Sequence, residues 1–178
     1  YTSFMTAVID KAAFDRIKSY IDYARNAKDA EIICGGGCND EVGFFVEPTV
    51  ILTNNPNFKT MKEEIFGPVV TFYLYDDEDY EQTLELCANN SEYGLAGALF
   101  ARDRLAISLG EKVLKYACGN LYINHKSTGA FHGQQPFGGV RASGTNDKAG
   151  SVINMLKWVS PLTTKEAFNY EDNYRFYE

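Results

Sequence analysis

The chain has 178 residues and a formal net charge of −7, and 45% of its residues are hydrophobic. A domain of this length buries roughly 70% of its unfolded surface, which is enough for a core without disulfides or metal ions. The negative charge argues against nucleic-acid or anionic-membrane binding, because both need clustered Lys and Arg. No apolar run in the sequence approaches the roughly 20 residues that span a bilayer.

The first predicted element is an amphipathic helix over residues 12–27, because Phe14, Ile17 and Ile21 recur at helical spacing. Two strands follow it, EIICGG at 31–36 and GFFVEPTVIL at 43–52. Pro48 cannot donate to a ladder, so it places the second strand at an edge or a bulge.

The segment CGGGC at 34–38 joins these strands. It lacks the Lys-Ser/Thr of a phosphate loop and the spacing of a dinucleotide fingerprint, so a glycine turn is the better interpretation. Cys34 and Cys38 are also spaced too widely for a zinc knuckle, and with only two histidines in the chain we predict no metal site. Free thiols in a reducing compartment are expected instead.

The middle of the chain alternates between strands and helices. Val69–Tyr75 is a run of strand formers with two apolar faces, which predicts a strand covered on both sides. A helix over 79–88, a strand over 97–101, a helix capped by Asp103 and a strand over 120–124 complete the pattern. Two successive βαβ crossovers predict an α/β fold, a mostly parallel open sheet with flanking helices.

The pattern changes after Gly150. A short helix is followed by a loosely alternating stretch and by the acidic, aromatic end NYEDNYRFYE. This end cannot close a core by itself. We therefore divide the chain into residues 1–155 and an extended arm with a tail, 156–178, and expect the arm to lie on another subunit of a homo-oligomer.

Two segments could carry chemistry. In EEIFGPVVTF, at 63–72, Glu63 and Glu64 stand at the mouth of an apolar strand; the alternative is an ordinary solvated turn. Residues 125–150 form a connection that is too long and too rich in glycine for a plain connector. Its free backbone amides and its Phe131 and Phe137 would suit a small carboxylate with an apolar stem, at the carboxyl end of a strand. A surface loop that needs glycines only for its turns explains the same composition.

KEEIFGPV at 62–69 and QPFGGVRASG at 135–144 resemble the C-terminal part of the aldehyde dehydrogenase superfamily. FVEPTV, YGLAGALF and GQQPFGGVRASGTNDKAG make the chain similar to the family's 1-pyrroline-5-carboxylate dehydrogenase branch. That branch oxidises L-glutamate γ-semialdehyde to glutamate with NAD in proline breakdown. The resemblance implies a mitochondrial matrix enzyme if the source is a eukaryote and a cytoplasmic one if it is a bacterium.

The resemblance also implies roles for individual residues. Glu64 would hold the hydroxyls of the nicotinamide ribose, and Phe66 would lie against the nicotinamide end of NAD. Gly129 and Ala130 would anchor the substrate's α-carboxylate through their backbone, and Phe137 would form a wall against its aliphatic stem. Glu63 matches no family role and is expected to be solvated.

The family's nucleophilic Cys and general-base Glu lie upstream of the matching region, so we assign no catalytic residue to this chain. Cys38, Cys87 and Cys118 all stand in the wrong context, Cys118 at a helix end that disfavours a thiolate. Residues 1–155 are thus expected to be the C-terminal portion of a catalytic domain, and the chain alone to be inactive. The alternative is a non-catalytic α/β module that acts by association through its arm.

Overall fold

The structure is a computed structural model that describes residues 4–168. Its helices, in chain order, are α1 (Lys11–Asn26), α2 (Lys59–Lys62), α3 (Tyr80–Asn89), α4 (Arg104–Leu114) and α5 (Val152–Met155). Its strands are β1 (Ala30–Cys34), β2 (Cys38–Asn39), β3 (Phe45–Val46), β4 (Thr49–Thr53), β5 (Val69–Tyr73), β6 (Tyr93–Gly94), β7 (Ala96–Leu99), β8 (Asn120–Ile123) and β9 (Val140–Arg141). None of the helices described is both long and apolar enough to cross a membrane.

Helix α1 provides most of the first core. It begins where the Asp10 carboxylate accepts a hydrogen bond from the Ala13 amide at 2.7 Å, which satisfies one of the free N–H groups of the first turn. Phe14, Ile17 and Ile21 then face inward and are buried. The predicted amphipathic helix is confirmed.

The first sheet has the order β1-β4-β5, with β1 antiparallel and β5 parallel to the central β4. The predicted glycine turn is confirmed between β1 and β2. Gly35 has φ +71°, and a Cβ built on it would lie 2.1 Å from the Pro48 carbonyl oxygen. Only glycine fits this position without a clash.

The predicted strand at 43–52 is in fact two strands. Glu47 and Pro48 separate β3 from β4, and β3 pairs with β2 while β4 joins the first sheet. Pro48 has no N–H to donate, so the ladder is interrupted where the chain passes from one sheet to the other.

The prediction that β5 is covered on both sides is wrong for this chain. Its Val69 packs against the core under α1, but Val70 and Phe72 are 48% and 50% exposed. Strand β5 is also an edge strand of its sheet. The apolar run correctly indicated a strand, but it could not show which other elements are near enough to cover it.

The second predicted crossover is confirmed, because β7 and β8 pair in parallel and α4 lies between them in the chain. The first crossover differs from the prediction, since β5 and β7 belong to separate sheets in the described structure. The α/β class with flanking helices is confirmed, and its sheets are mixed.

The chain after Gly150 forms α5 as predicted, then one 3-10 turn, Leu156–Trp158, and no further regular structure to residue 168. Its apolar side chains are exposed, among them Met155, Trp158 and Leu162. The predicted tail NYEDNYRFYE lies outside the described residues.

Candidate functional site

The segment that carries Glu64 and Phe66 is held against the core at Ile65 and at Gly67. Ile65 is buried in the core cluster of α1. Gly67 lies so close to α1 that a Cβ built on it would approach the Ile17 Cδ1 atom to 2.5 Å. Phe66 itself is 81% exposed and has φ +53°, an uncommon conformation for a bulky residue. The backbone thus turns the Phe66 ring away from the core, and Glu64 is likewise exposed.

Glu63 has a different environment from the predicted solvated one. It is exposed, yet its Oε2 accepts a hydrogen bond of 2.6 Å from the Tyr20 hydroxyl, and its carboxylate lies 3.9 Å from the Lys59 ammonium. The hydrogen bond to Glu63 is the main cause that raises the pKa of Tyr20. Glu63 therefore ties α2 to α1, whereas Glu64 has no hydrogen bond or ion pair within residues 4–168.

Glu64 lies close enough to β6 to affect a second tyrosine. The charge of Glu92 raises the pKa of Tyr93, and the charge of Glu64 adds to this effect. The Glu64 carboxylate is thus near enough to Tyr93, in β6, for its charge to act on the phenol.

The three predicted substrate residues lie together. Gly129, Ala130 and Phe137 line one cavity of about 340 Å³, with Ser127 and Thr128 beside them. Within the described residues, the amides of Gly129 and Ala130 have no hydrogen-bond acceptor, whereas the next amide, that of Phe131, donates to Gln135 Oε1 at 3.2 Å. Two adjacent donors are therefore free at an apolar wall.

The sequence reasoning missed further residues of this cavity, among them Leu95, Tyr122 and His132. Tyr122 is 9% exposed, and within the described residues its hydroxyl is buried without a hydrogen-bond partner. A buried, unpaired hydroxyl is costly and uncommon. The one available signal for Tyr122 was its position in the last strand before the long connection.

The long connection is attached to the rest of the fold at several points. The Asn120 amide group donates to the Pro136 carbonyl oxygen at 3.1 Å. Phe137 and Ala149 exchange two backbone hydrogen bonds, of 3.0 and 2.8 Å. The Lys148 ammonium donates to the Gly119 carbonyl oxygen. Phe137 is therefore held by its own backbone and by β8.

Burial disfavours the thiolate form of three of the four cysteines. All four cysteines are free. Desolvation raises the pKa of Cys38, Cys87 and Cys118, so each of these thiols favours its protonated form. For Cys118 the main cause is burial, while the charges of Lys148 and Arg141 act in the opposite direction.

The structure brings together Gly129, Ala130 and Phe137, but Glu64 and Phe66 do not line their cavity. The Glu64 segment is attached instead to the turn before β6. The Asn90 side chain donates to the Met61 carbonyl oxygen at 3.2 Å, and the Ser91 hydroxyl donates to the Lys62 carbonyl oxygen at 3.3 Å. These bonds join the turn before β6 to the residues just before Glu63.

An exposed carboxylate followed by an outward-facing Phe, and a loop with free amides after a parallel strand, are the features that the motifs predicted. The sequence profile described as "Aldehyde dehydrogenase family" matches residues 2–160. The chain belongs to this family.

Particular members are highly similar. The mitochondrial delta-1-pyrroline-5-carboxylate dehydrogenase of Dictyostelium discoideum is 56% identical over 168 residues, which are 94% of this chain and 30% of that protein. The human mitochondrial protein of the same name is 49% identical over 166 residues, 93% of this chain and 30% of that protein. The crystal structure of the Mycobacterium tuberculosis enzyme bound with NAD matches with TM-score 0.85 and 42% identity, over 96% of this chain and 30% of that one. The chain thus spans about a third of its relatives' length.

Proposed function

We propose that this chain is the part of an NAD-dependent dehydrogenase that holds the carboxylate of L-glutamate γ-semialdehyde and the nicotinamide ribose of NAD, in an enzyme that oxidises this aldehyde to L-glutamate. The observation that carries the proposal is the pair of free amides at Gly129 and Ala130 in the cavity with Phe137. The similarity to 1-pyrroline-5-carboxylate dehydrogenases supports the same substrate.

The free amides suit a carboxylate. An ionised carboxylate accepts hydrogen bonds that are worth about 1.5–3 kcal/mol each when one partner is charged. Gly129 has φ +77°, and no atom lies within 4 Å of a Cβ built on it, so the backbone there is open to a ligand. Phe137 gives the short aliphatic stem of such a substrate an apolar surface.

Glu64 and Phe66 fit the nicotinamide half of NAD. A carboxylate can accept from both hydroxyls of a cis-diol, and Glu64 has no partner within the described residues that competes for its oxygens. Phe66 presents a rigid apolar ring in the same segment. When bound, NAD supplies the hydride acceptor. The residues of this chain orient the ribose and place the substrate by its carboxylate, which fixes the distance to the reacting aldehyde.

The substrate assignment is tested in the full-length enzyme by comparing glutamate γ-semialdehyde with propanal. Propanal lacks the carboxylate, so the Gly129 and Ala130 amides stay unpaired and we expect kcat/KM to fall by at least about a hundredfold. NAD-dependent oxidation of both aldehydes with comparable kcat/KM would contradict the assignment.

The arm supports a homo-oligomer. Its apolar side chains Trp158, Val159 and Leu162 are exposed, and an apolar strip of this kind is typical of a protein–protein contact. Residues 156–178 would then cover a second subunit. The Dictyostelium and human relatives are named mitochondrial proteins, which favours the mitochondrial matrix if the source is a eukaryote.

A further inference from the structure

Arg141 lies between the two groups of site residues. It belongs to β9, three residues after Gly138 and four after Phe137 of the substrate cavity, and β9 pairs with β6 through Tyr93 opposite Arg141. Its φ of +56° is a left-handed conformation that costs a non-glycine residue free energy. A strained residue persists only where its surroundings hold it in place, which is a reason to ask what it does.

The Arg141 side chain crosses from β9 to the end of α3. One terminal nitrogen, Nη2, donates to the Ala88 carbonyl oxygen at 2.6 Å, and the other, Nη1, donates to the Ser91 carbonyl oxygen at 3.1 Å. Ala88 is in the last turn of α3, where carbonyl groups lack helical partners and carry partial negative charge. The guanidinium therefore fixes the turn at 88–91 with two hydrogen bonds.

That turn holds the segment in front of Glu64. Asn90 and Ser91 donate to the carbonyl oxygens of Met61 and Lys62. On the other side, the Ala142 amide donates to the Glu92 carbonyl oxygen at 3.1 Å. A continuous set of hydrogen bonds thus runs from the loop that carries Phe137, through Arg141, to the residues that precede Glu64.

We infer that Arg141 is a positioning residue that sets the placement of the ribose-binding segment relative to the substrate-binding loop. The inference rests on the proposed function for its kinetic consequences. Arg141 does not line the cavity of Gly129, Ala130 and Phe137. It keeps the two ligand-binding segments in register, so that aldehyde and nicotinamide meet at the correct distance. Replacing it with Ala should release the turn at 88–91, and the Glu64 segment with it.

The test compares Arg141→Ala, Arg141→Lys and the control Arg102→Ala in the full-length enzyme; Arg102 is exposed, and its side chain makes no hydrogen bond within the described residues. We expect Arg141→Ala to lower kcat/KM at least about tenfold for both NAD and the aldehyde, and to raise the primary deuterium isotope effect on kcat. Arg141→Lys should recover part of the loss, because its ammonium can still donate to one carbonyl oxygen. A loss confined to one of the two ligands would overturn the inference.

Hydrogen exchange in the same proteins tests whether Arg141 holds the Glu64 segment in place, and this measurement needs no catalytic turnover. The Glu63 amide donates to the Lys59 carbonyl oxygen within α2. Arg141→Ala should speed exchange at Glu63 and Ala142 while the buried Ile21 in α1 stays unchanged. Faster exchange at Ala142 alone would show that Arg141 stabilises only the loop that carries Phe137 and not the Glu64 segment. If the wild-type enzyme does not oxidise the aldehyde, the proposed function fails, and the exchange at Glu63 still supports or overturns the positioning role.

Discussion

At the scale of single residues, Glu63 and Glu64 are adjacent in sequence but have different surroundings. Glu63 accepts from Tyr20, whereas Glu64 has no partner within the described residues. We expect Glu64→Gln in the full-length enzyme to weaken transition-state stabilisation by about 1.5–3 kcal/mol, because it removes the charge that, in the proposed function, accepts from the ribose hydroxyls. Steady-state kinetics should show kcat/KM for NAD lowered roughly ten- to a hundredfold. Equal kinetics for mutant and wild type would remove Glu64 from the site.

Glu63→Gln is the matched control, with the same chemical change one position earlier. It should lower the thermal midpoint of unfolding, since it weakens the charge-assisted hydrogen bond from Tyr20, and leave kcat/KM for NAD close to wild type. If Glu63→Gln lowered kcat/KM as strongly as Glu64→Gln, the assignment of the ribose contact to Glu64 would be wrong.

The same contact predicts a pH dependence of stability. The bond to Glu63 raises the pKa of Tyr20 above the ordinary tyrosine value of 10.0, so the folded protein holds the phenol proton more tightly than the unfolded chain. The stabilisation is complete below pH 10.0 and is lost as pH rises from there through the raised pKa. Urea unfolding between pH 9 and 11 should therefore show a steeper loss of free energy of unfolding in wild type than in Tyr20→Phe. Parallel curves would mean that Tyr20 does not contribute to the pH dependence of stability.

At the scale of elements, helix α1 can pack against the Glu64 segment only because Gly67 has no side chain. A Cβ on Gly67 would lie 2.5 Å from Ile17 Cδ1, and Ile17 is fully buried. Gly67→Ala should therefore lower the free energy of unfolding by about 1–3 kcal/mol, as overpacking of a core does. Denaturant unfolding measures this change in the free energy of unfolding. In an Ile17→Ala background the same change should cost much less, and equal costs in the two backgrounds would exclude the steric explanation.

The elements themselves were largely predictable, because helical and strand periodicity are local properties of the sequence. The helix over 12–27 and the crossover from β7 through α4 to β8 appear in the structure as predicted. Pro48 indicated an edge or a bulge, but periodicity did not show that the chain passes from one sheet to another there. The role of Glu63 was not predictable from periodicity, because it depends on Tyr20, which is distant in the chain. The loop residues were predicted through family motifs, whereas Tyr122 carries no motif and was found only from its burial beside the cavity.

At the scale of the whole molecule, the arrangement of strands was the least predictable feature. Sequence patterns identify a buried strand but not its neighbours, and β5 has an exposed apolar face and a free edge in the described structure. An exposed edge strand of this kind can pair with another chain. The relatives that the chain matches are about three times its length.

We therefore expect the 178-residue chain by itself to show no dehydrogenase activity and little affinity for NAD. Three of its thiols have raised pKa values, so a thiolate is disfavoured at neutral pH. The proposed ribose contact at Glu64 would by itself be too weak to offset the entropy that a dinucleotide loses on binding. Calorimetric titration of the purified chain with NAD, followed by an assay with glutamate γ-semialdehyde, measures both properties, and the full-length enzyme serves as the positive control. Micromolar binding together with turnover would contradict the expectation, and Cys118→Ala would then be the first variant to show whether this thiol is the nucleophile.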